Sequence, residues 1–335
     1  MPTVAIDARD ARGAQLRGWG RYTLELVGAL RRHAGLELLE LEEGGRGPEL
    51  VWEQLTLPRL LAREGAALVH VPNCFLPLRR PCPGVVTVHD LAFEAHPEDF
   101  ARLTGWKYRT LAPRCARSAE RVICVSEHTR RDVCERYRVD PDRTRMIHSA
   151  PSLPPGDEQP PAGPYLLAVG DLRRKKNLVR LARAFARLHR DGIPHRLVLA
   201  GLDTGEGPAI RAAATGAPVE ITGYVDDSRL DALIRGADLL VYPSLYEGFG
   251  LVIVEAMARG CPVAAADATA LPEAAGGAAA LFDPLDEGDM ATTIRRVLED
   301  PELRRRMAER GRARAAELSW ERTAEQTAAV YRELL

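Results

Sequence analysis

Val241-Tyr-Pro-Ser-Leu-Tyr-Glu-Gly-Phe-Gly-Leu-Val-Ile-Val-Glu-Ala-Met-Ala-Arg-Gly-Cys-Pro-Val263 carries the sharpest change of pattern in the chain. Residues 237–242 are apolar except for Asp238, which predicts a buried strand ended by Pro243. A loop with Gly248 and Gly250 follows, and residues 251–258 read as an amphipathic helix closed by Gly260 and Pro262. Strand, glycine loop and helix N-terminus together present unpaired backbone N–H groups to an anion, and glycine lets a phosphate approach the backbone. Glu247 opens the loop and Glu255 lies one turn into the helix. A carboxylate repels phosphate but accepts from hydroxyls, so its natural partner here is a sugar. Phosphate donors flanked by hydroxyl acceptors imply a site for a nucleotide sugar.

The 335 residues exceed one ordinary core and suit two domains. A formal net charge of −1 gives no global sign of a nucleic-acid partner, and none is expected. None of the six cysteines forms a C-x-x-C pair, and a chain this large does not need disulfides, so the thiols are expected to be reduced. No apolar run is long enough to cross a bilayer, and the sequence opens directly on a strand at residues 4–7. A cytoplasmic placement is expected, with contact at the inner face of the membrane left open.

Strands are expected at residues 4–7, 68–71, 85–89 and 122–125, with a helix at 22–33 and a second one capped by Ser126. Eight prolines and glycines crowd residues 149–164, which reads as a stiff linker. The alternation resumes with strands at 165–169, 196–200 and 219–222, a helix at 178–191, and another capped by Asp227 or Ser228 that runs to Arg235. Residues 302–335 are helical with a turn near Ser319-Trp320. Strands alternating with helices imply right-handed crossovers and parallel sheets: an α/β, doubly wound class with ligands at the carboxyl ends of the strands.

Glu247-Gly-Phe-Gly and Glu255, with seven residues between the two acids, resemble the signature of the retaining GT-B glycosyltransferases of family four (glycosyltransferase group 1), in a mannosyltransferase-like version. The usual proline after Gly-Phe-Gly-Leu is Val252 here. The resemblance implies two Rossmann-like doubly wound domains facing a cleft. Residues 1–150 would form the acceptor side, 151–164 the linker and 165–318 the nucleotide-sugar domain, with 319–335 crossing back as a terminal helix. It places Glu247 by the donor sugar and Glu255 on the ribose, with Gly248, Phe249, Gly250 and Leu251 lining the same loop.

Gly170-Asp-Leu-Arg-Arg-Lys-Lys-Asn177 puts four consecutive cations ahead of a helix N-terminus, a suitable place for a diphosphate. It resembles the family's Gly-x-x-x-x-Arg-Lys-Asn, with Lys176 on the lysine; the second cation is Arg174 or Lys175, since Asp171 stands where some members carry arginine. Gly18-Trp-Gly20-Arg21-Tyr22 resembles the amino-terminal loop that faces the donor phosphates. His89-Asp90 sits in a stretch similar to that around the family's active-site histidine. A neutral His89 could bond the transferring sugar or polarise the acceptor's surroundings, and Asp90 could orient the ring or cap the next segment. His70, His96 and His148 read as structural. Thr222-Gly-Tyr224-Val225-Asp226 resembles the segment whose backbone meets the nucleobase, guanine or uracil. Ser126-Glu-His-Thr-Arg-Arg resembles an acceptor-side segment, with Ser126 a helix cap first and a ligand contact second. Pro272-Glu273 resembles the Leu-Pro-Glu that packs close to the donor.

No metal site is expected: Asp226-Asp227 reads as a helix cap, and no His/Cys cluster has ligand spacing. No cofactor is expected beyond the donor substrate, with GDP-mannose favoured and UDP-glucose next. The acceptor would be a glycan, a lipid-linked sugar or a small molecule. Residues 102–145 hold twelve Lys/Arg against six Asp/Glu, which suits either contact of basic helices with anionic lipid or an arginine-heavy composition. Retention by a covalent intermediate needs a carboxylate behind the anomeric carbon. None is identified, so a front-face transfer is expected, with His89, Glu247 and Lys176 as its residues. The competing readings are a nucleotide-sugar epimerase, a phosphorylase, a Rossmann dehydrogenase and a non-catalytic sugar-nucleotide module. The phosphorylase lacks its cofactor-lysine context. Thr23 stands where the dehydrogenase's G-x-G-x-x-G requires its third glycine.

Overall fold

The computed structural model describes residues 2–13, 16, 18–32, 35–42 and 48–335. Two compact units divide it, Met1–Ala150 with Leu318–Leu335, and Pro151–Glu317. Each is built on one parallel six-stranded sheet.

In the first unit the strands are β1 (Thr3–Asp7), β2 (Glu37–Leu41), β3 (Leu68–Val71), β4 (Gly84–Val88), β5 (Arg121–Cys124) and β6 (Thr144–Met146). Their order across the sheet is β2-β1-β3-β4-β5-β6. Every residue of β3 and β4 is buried, as expected of parallel strands covered on both faces. The chain winds outward from β1 in one direction to β2 and in the other through β3, so the reversal lies between β1 and β3.

The helix expected at residues 22–33 runs from Trp19 to Arg31, so Gly20 and Arg21 lie inside it instead of in the preceding loop. His33, its expected end, lies outside the described residues. Tyr22, Leu26 and Leu30 on one face of this helix are buried, which fixes its register on the sheet. The terminal helix Trp320–Arg332, capped by Ser319, completes this unit: Trp320 packs edge-on to Tyr22, and Thr323 donates to the carbonyl of His148 at 2.8 Å.

The second unit contains β7 (Tyr165–Val169), β8 (Arg196–Ala200), β9 (Val219–Gly223), β10 (Leu239–Tyr242), β11 (Val263–Ala266) and β12 (Ala280–Phe282). The order β12-β11-β10-β7-β8-β9 places its reversal between β7 and β10. Residues 151–164, read as a stiff linker, pack on this unit: Leu153 is in its core and Gly156 N donates to the buried Asp231. The helix Asp227–Gly236 is capped one residue earlier than expected, by Asp226, whose carboxylate accepts from Arg229 N. The helix Leu251–Ala258 has the expected bounds but is apolar and buried over most of its surface, not amphipathic. All six cysteines are free thiols. Among the described residues no helix is long and apolar enough to cross a membrane.

His70 on β3 is fully buried, with Nδ1 2.6 Å from the Tyr331 hydroxyl and Nε2 2.8 Å from Thr87 Oγ1. Two hydroxyls satisfy a neutral ring, and burial, with a smaller push from His89, lowers its pKa to about 3. The folded ring is therefore neutral where the unfolded one begins to charge. Stability is fully present above pH ~6.5 and falls below it by about 1.4 kcal/mol per pH unit for this site. Urea midpoints between pH 7 and 5 should show this loss, and His70→Gln should flatten it; an unchanged slope would refute the assignment.

Candidate active site

Parallel sheets collect ligands beyond the carboxyl ends of the strands, where strand order reverses. In the second unit that point lies between the ends of β7 and β10. The loop after β7 carries Arg174, Lys175 and Lys176, and the loop after β10 carries Glu247 through Gly250. Backbone ties hold the two loops together: Leu245 N donates to Lys175 O at 2.8 Å. Asn177 Nδ2 donates to the carbonyls of Pro243 and Pro284, joining the loop after β12 as well.

Lys176 Nζ lies 2.6 Å from Glu247 Oε1 and 2.8 Å from the Tyr242 hydroxyl, and both charged side chains are largely buried. Burial opposes both charges, yet the attraction outweighs it. Glu247 is pulled below the usual carboxylate range by Lys176 and then Lys175, and Lys176 is raised by Glu247 and Tyr242. Both stay charged at neutral pH. Glu247 N donates to Thr269 Oγ1, which brings in the loop after β11. Gly170 makes room for this pair: its φ is +137°, and a Cβ there would stand 3.0 Å from Lys176 Cε.

Gly250, at φ +98°, precedes the helix Leu251–Ala258, and no side chain caps that helix. Its first-turn amides at Leu251 and Val252 thus take no side-chain acceptor and suit an anion. The Lys175 side chain acts electrostatically on Glu247, whereas that of Arg174 is 71% exposed and lies 3.7 Å from Glu206. Tyr224 is exposed and Val225 half-buried just beyond β9. Glu255 is buried and accepts from Ser152 N, Leu153 N and Arg259.

The reversal point of the first unit gathers different chemistry. Gly18 precedes the helix Trp19–Arg31, and Gly20 packs beneath the backbone of Asp10. His89, just past β4, has Nε2 2.8 Å from Pro72 O, so Nε2 carries the proton and Nδ1 keeps a lone pair. Trp19 stacks on this ring and Tyr22 meets it edge-on. Burial lowers the His89 pKa against the smaller pull of Pro72, Asp90 and Asp10, which keeps the ring neutral. Asp90 caps the next segment by accepting from Ala92 N. Ser126 is fully buried, accepting from Thr129 N and donating to Thr129 Oγ1, so its hydroxyl is spent on capping.

Five of the twelve cations in residues 102–145 pair with acids of the same unit. Lys107 pairs with Glu49 and Glu53, Arg121 and Arg145 with Glu333, and Arg130 and Arg136 with acids one turn away. Among the described residues no three His, Cys, Asp or Glu come together to hold a metal ion.

Sequence reasoning missed Tyr242, Thr269 and Arg259. A tyrosine ending an apolar strand was the available signal for Tyr242, because a buried phenol seeks a partner. Glu255 and Arg259 stand at i,i+4, a spacing that pairs on a helix.

Removing one member of a buried pair strands the other charge. Glu247→Ala should cost about 3–5 kcal/mol of stability, and Lys176→Met with Glu247→Leu should cost less than that single change. Urea denaturation checks both; a double variant as unstable as the sum of the two singles would refute the coupling.

Residues 155–314 match the family model Glycosyl transferases group 1, and residues 16–150 match Glycosyltransferase Family 4. O-antigen chain mannosyltransferase B of Escherichia coli is 30% identical over 375 residues, spanning 95% of this chain and 96% of that one. Among solved structures, sucrose-phosphate synthase of Thermosynechococcus elongatus superposes with a TM-score of 0.79 at 23% identity, covering 100% of this chain and 99% of the other. Anabaena HepE, solved with UDP and glucose, superposes with a TM-score of 0.72 at 18% identity over the whole of both chains. The chain belongs to glycosyltransferase family 4, the group 1 glycosyltransferases, and has their GT-B fold.

Proposed function

We propose that this glycosyltransferase moves a hexose, mannose in the first instance, from a nucleoside diphosphate donor to an acceptor hydroxyl with retention of configuration. The observation that carries the reading is the charged Lys176–Glu247 pair at the β7/β10 reversal, beside an uncapped helix N-terminus. Lys176, with Lys175 as second cation and the Leu251 and Val252 amides, would take the diphosphate. Glu247 would accept from a donor-sugar hydroxyl, and Glu255 from the ribose. The Tyr224-Val225 segment would lie along the base. The neutral His89, through Nδ1, would accept from a sugar hydroxyl. Mannose is favoured by the Escherichia coli relative's name, and the UDP in HepE keeps uracil as the alternative to guanine.

In the proposed step the bond from the anomeric carbon to the β-phosphate oxygen breaks and the acceptor oxygen bonds on the same face. The acceptor proton passes to the departing phosphate. Charge builds on the leaving diphosphate, where fixed cations and amides lower the barrier without reorganising. Those groups are enough to make the reaction independent of a divalent ion.

Thermal shifts with GDP, UDP, ADP and dTDP should single out one of the first two. Lys176→Ala should lower kcat about 10²–10³-fold, the scale of losing one such donor. Anomeric coupling constants of the product should match those of the donor, and EDTA should leave turnover intact. An inverted product would overturn retention. Nucleotide release that needs no acceptor would favour the epimerase.

A further inference from the structure

Glu255 is fixed from two directions. Oε1 accepts from Ser152 N at 2.5 Å and Leu153 N at 2.9 Å, and Oε2 accepts from Arg259 Nη1 at 3.1 Å. The same guanidinium donates through Nη2 to the carbonyls of Leu153 and Pro154. Its Nε donates to Asp231 Oδ1 at 2.9 Å. Asp231, almost fully buried, in turn accepts from Gly156 N at 3.0 Å and Arg235 Nε at 2.6 Å. Every face of the Arg259 fork is therefore occupied, and it binds Glu255 and the 152–156 segment into one network. A lysine could not do this, since its ammonium is a compact point charge without a planar fork.

An ionised carboxylate has about four lone-pair sites. Here the two amides, with the Ser152 hydroxyl at 3.3 Å, occupy Oε1, and Arg259 takes one site on Oε2. The remaining site on Oε2 has no partner among the described residues. Rotating the carboxylate would break several charge-assisted bonds at once, so that site has a fixed direction. Burial raises the Glu255 carboxyl above its ordinary value against the pull of the amides and Arg259, so losing Arg259 would push it higher still.

We propose that Arg259 is a positioning residue for the donor. Acting through Glu255, with the amides of Ser152 and Leu153, it aims one carboxylate lone pair at the ribose and makes the site selective for ribonucleotides over those lacking ribose hydroxyls. The inference rests on Glu255 being the ribose acceptor. It adds that the recognition is set by a residue that never touches the ligand.

The test is calorimetric titration of the full chain with GDP, UDP and their 2′,3′-dideoxy counterparts. The native protein should prefer the ribonucleotide on the order of tenfold, the effect of one charge-assisted hydrogen bond. Glu255→Gln should lose most of that preference. Arg259→Met and Arg259→Lys should lose it to a similar degree while binding the dideoxy form as the native protein does. Should Arg259→Met fail to fold, Asp231→Asn, which loosens Arg259 without touching Glu255, should show a smaller loss of the same kind. If Glu255→Gln loses the preference and the Arg259 and Asp231 variants keep it, the positioning role is overturned and the ribose assignment stands. An equal weakening of both nucleotide forms in the Arg259 variants would also overturn it, as a purely structural effect. If neither the native protein nor Glu255→Gln discriminates, or no nucleotide binds, the ribose assignment falls and the inference with it.

Discussion

Lys176 and Glu247, 2.6 Å apart at the ends of β7 and β10, are costly to bury, and each stays charged there because the other is present. A leucine and a methionine could fill the same space at less cost than leaving one of the two charges unpaired. What the pair supplies is charge fixed in place before any ligand arrives, the condition under which electrostatics lowers a barrier. Much of the local backbone serves that geometry. Gly170 leaves a path for the lysine stem, Asn177 stitches together the loops after β7, β10 and β12, and Thr269 holds the Glu247 backbone.

The two sheets share a winding pattern, yet the reversal points carry opposite chemistry. The one in the second unit is ionic, with cations and exposed amides suited to a diphosphate. The one in the first unit is aromatic around a neutral His89, with Trp19 and Tyr22 against the ring and Tyr108 stacked on Trp19. Such a surface suits a polyhydroxylated ring better than a phosphate. The difference follows from which side chains the strands end on, since the two sheets wind alike.

The central strands were legible because valine- and isoleucine-rich runs such as that of β4 can hardly be anything else. β2, β6, β11 and β12 were not. β2 reads Glu-Leu-Leu-Glu-Leu and β11 Val-Ala-Ala-Ala, sequences whose local preference is helical and which pairing with a neighbour overrides. Lys176 and Glu247 could be found from their motifs, each adjoining a predicted strand. The hydroxyl that touches both left a fainter signal, a tyrosine at the end of the apolar run of β10. Thr269 reaches Glu247 only through the order of β10 and β11, which the sequence does not spell out. Cap positions slipped by a residue where adjacent acids compete, as at Asp226 and Asp227.

The helix Trp320–Arg332 belongs to a core whose other members all precede residue 151. During synthesis the second unit, contiguous in the chain, leaves the ribosome whole and can fold at once. The first must wait through the making of that entire unit before Tyr331 arrives to meet His70 and Trp320 to cover Tyr22. Until then a strip of the helix Trp19–Arg31 stays uncovered. The nascent chain therefore stays exposed along the helix Trp19–Arg31 until residues 320–332 have been made.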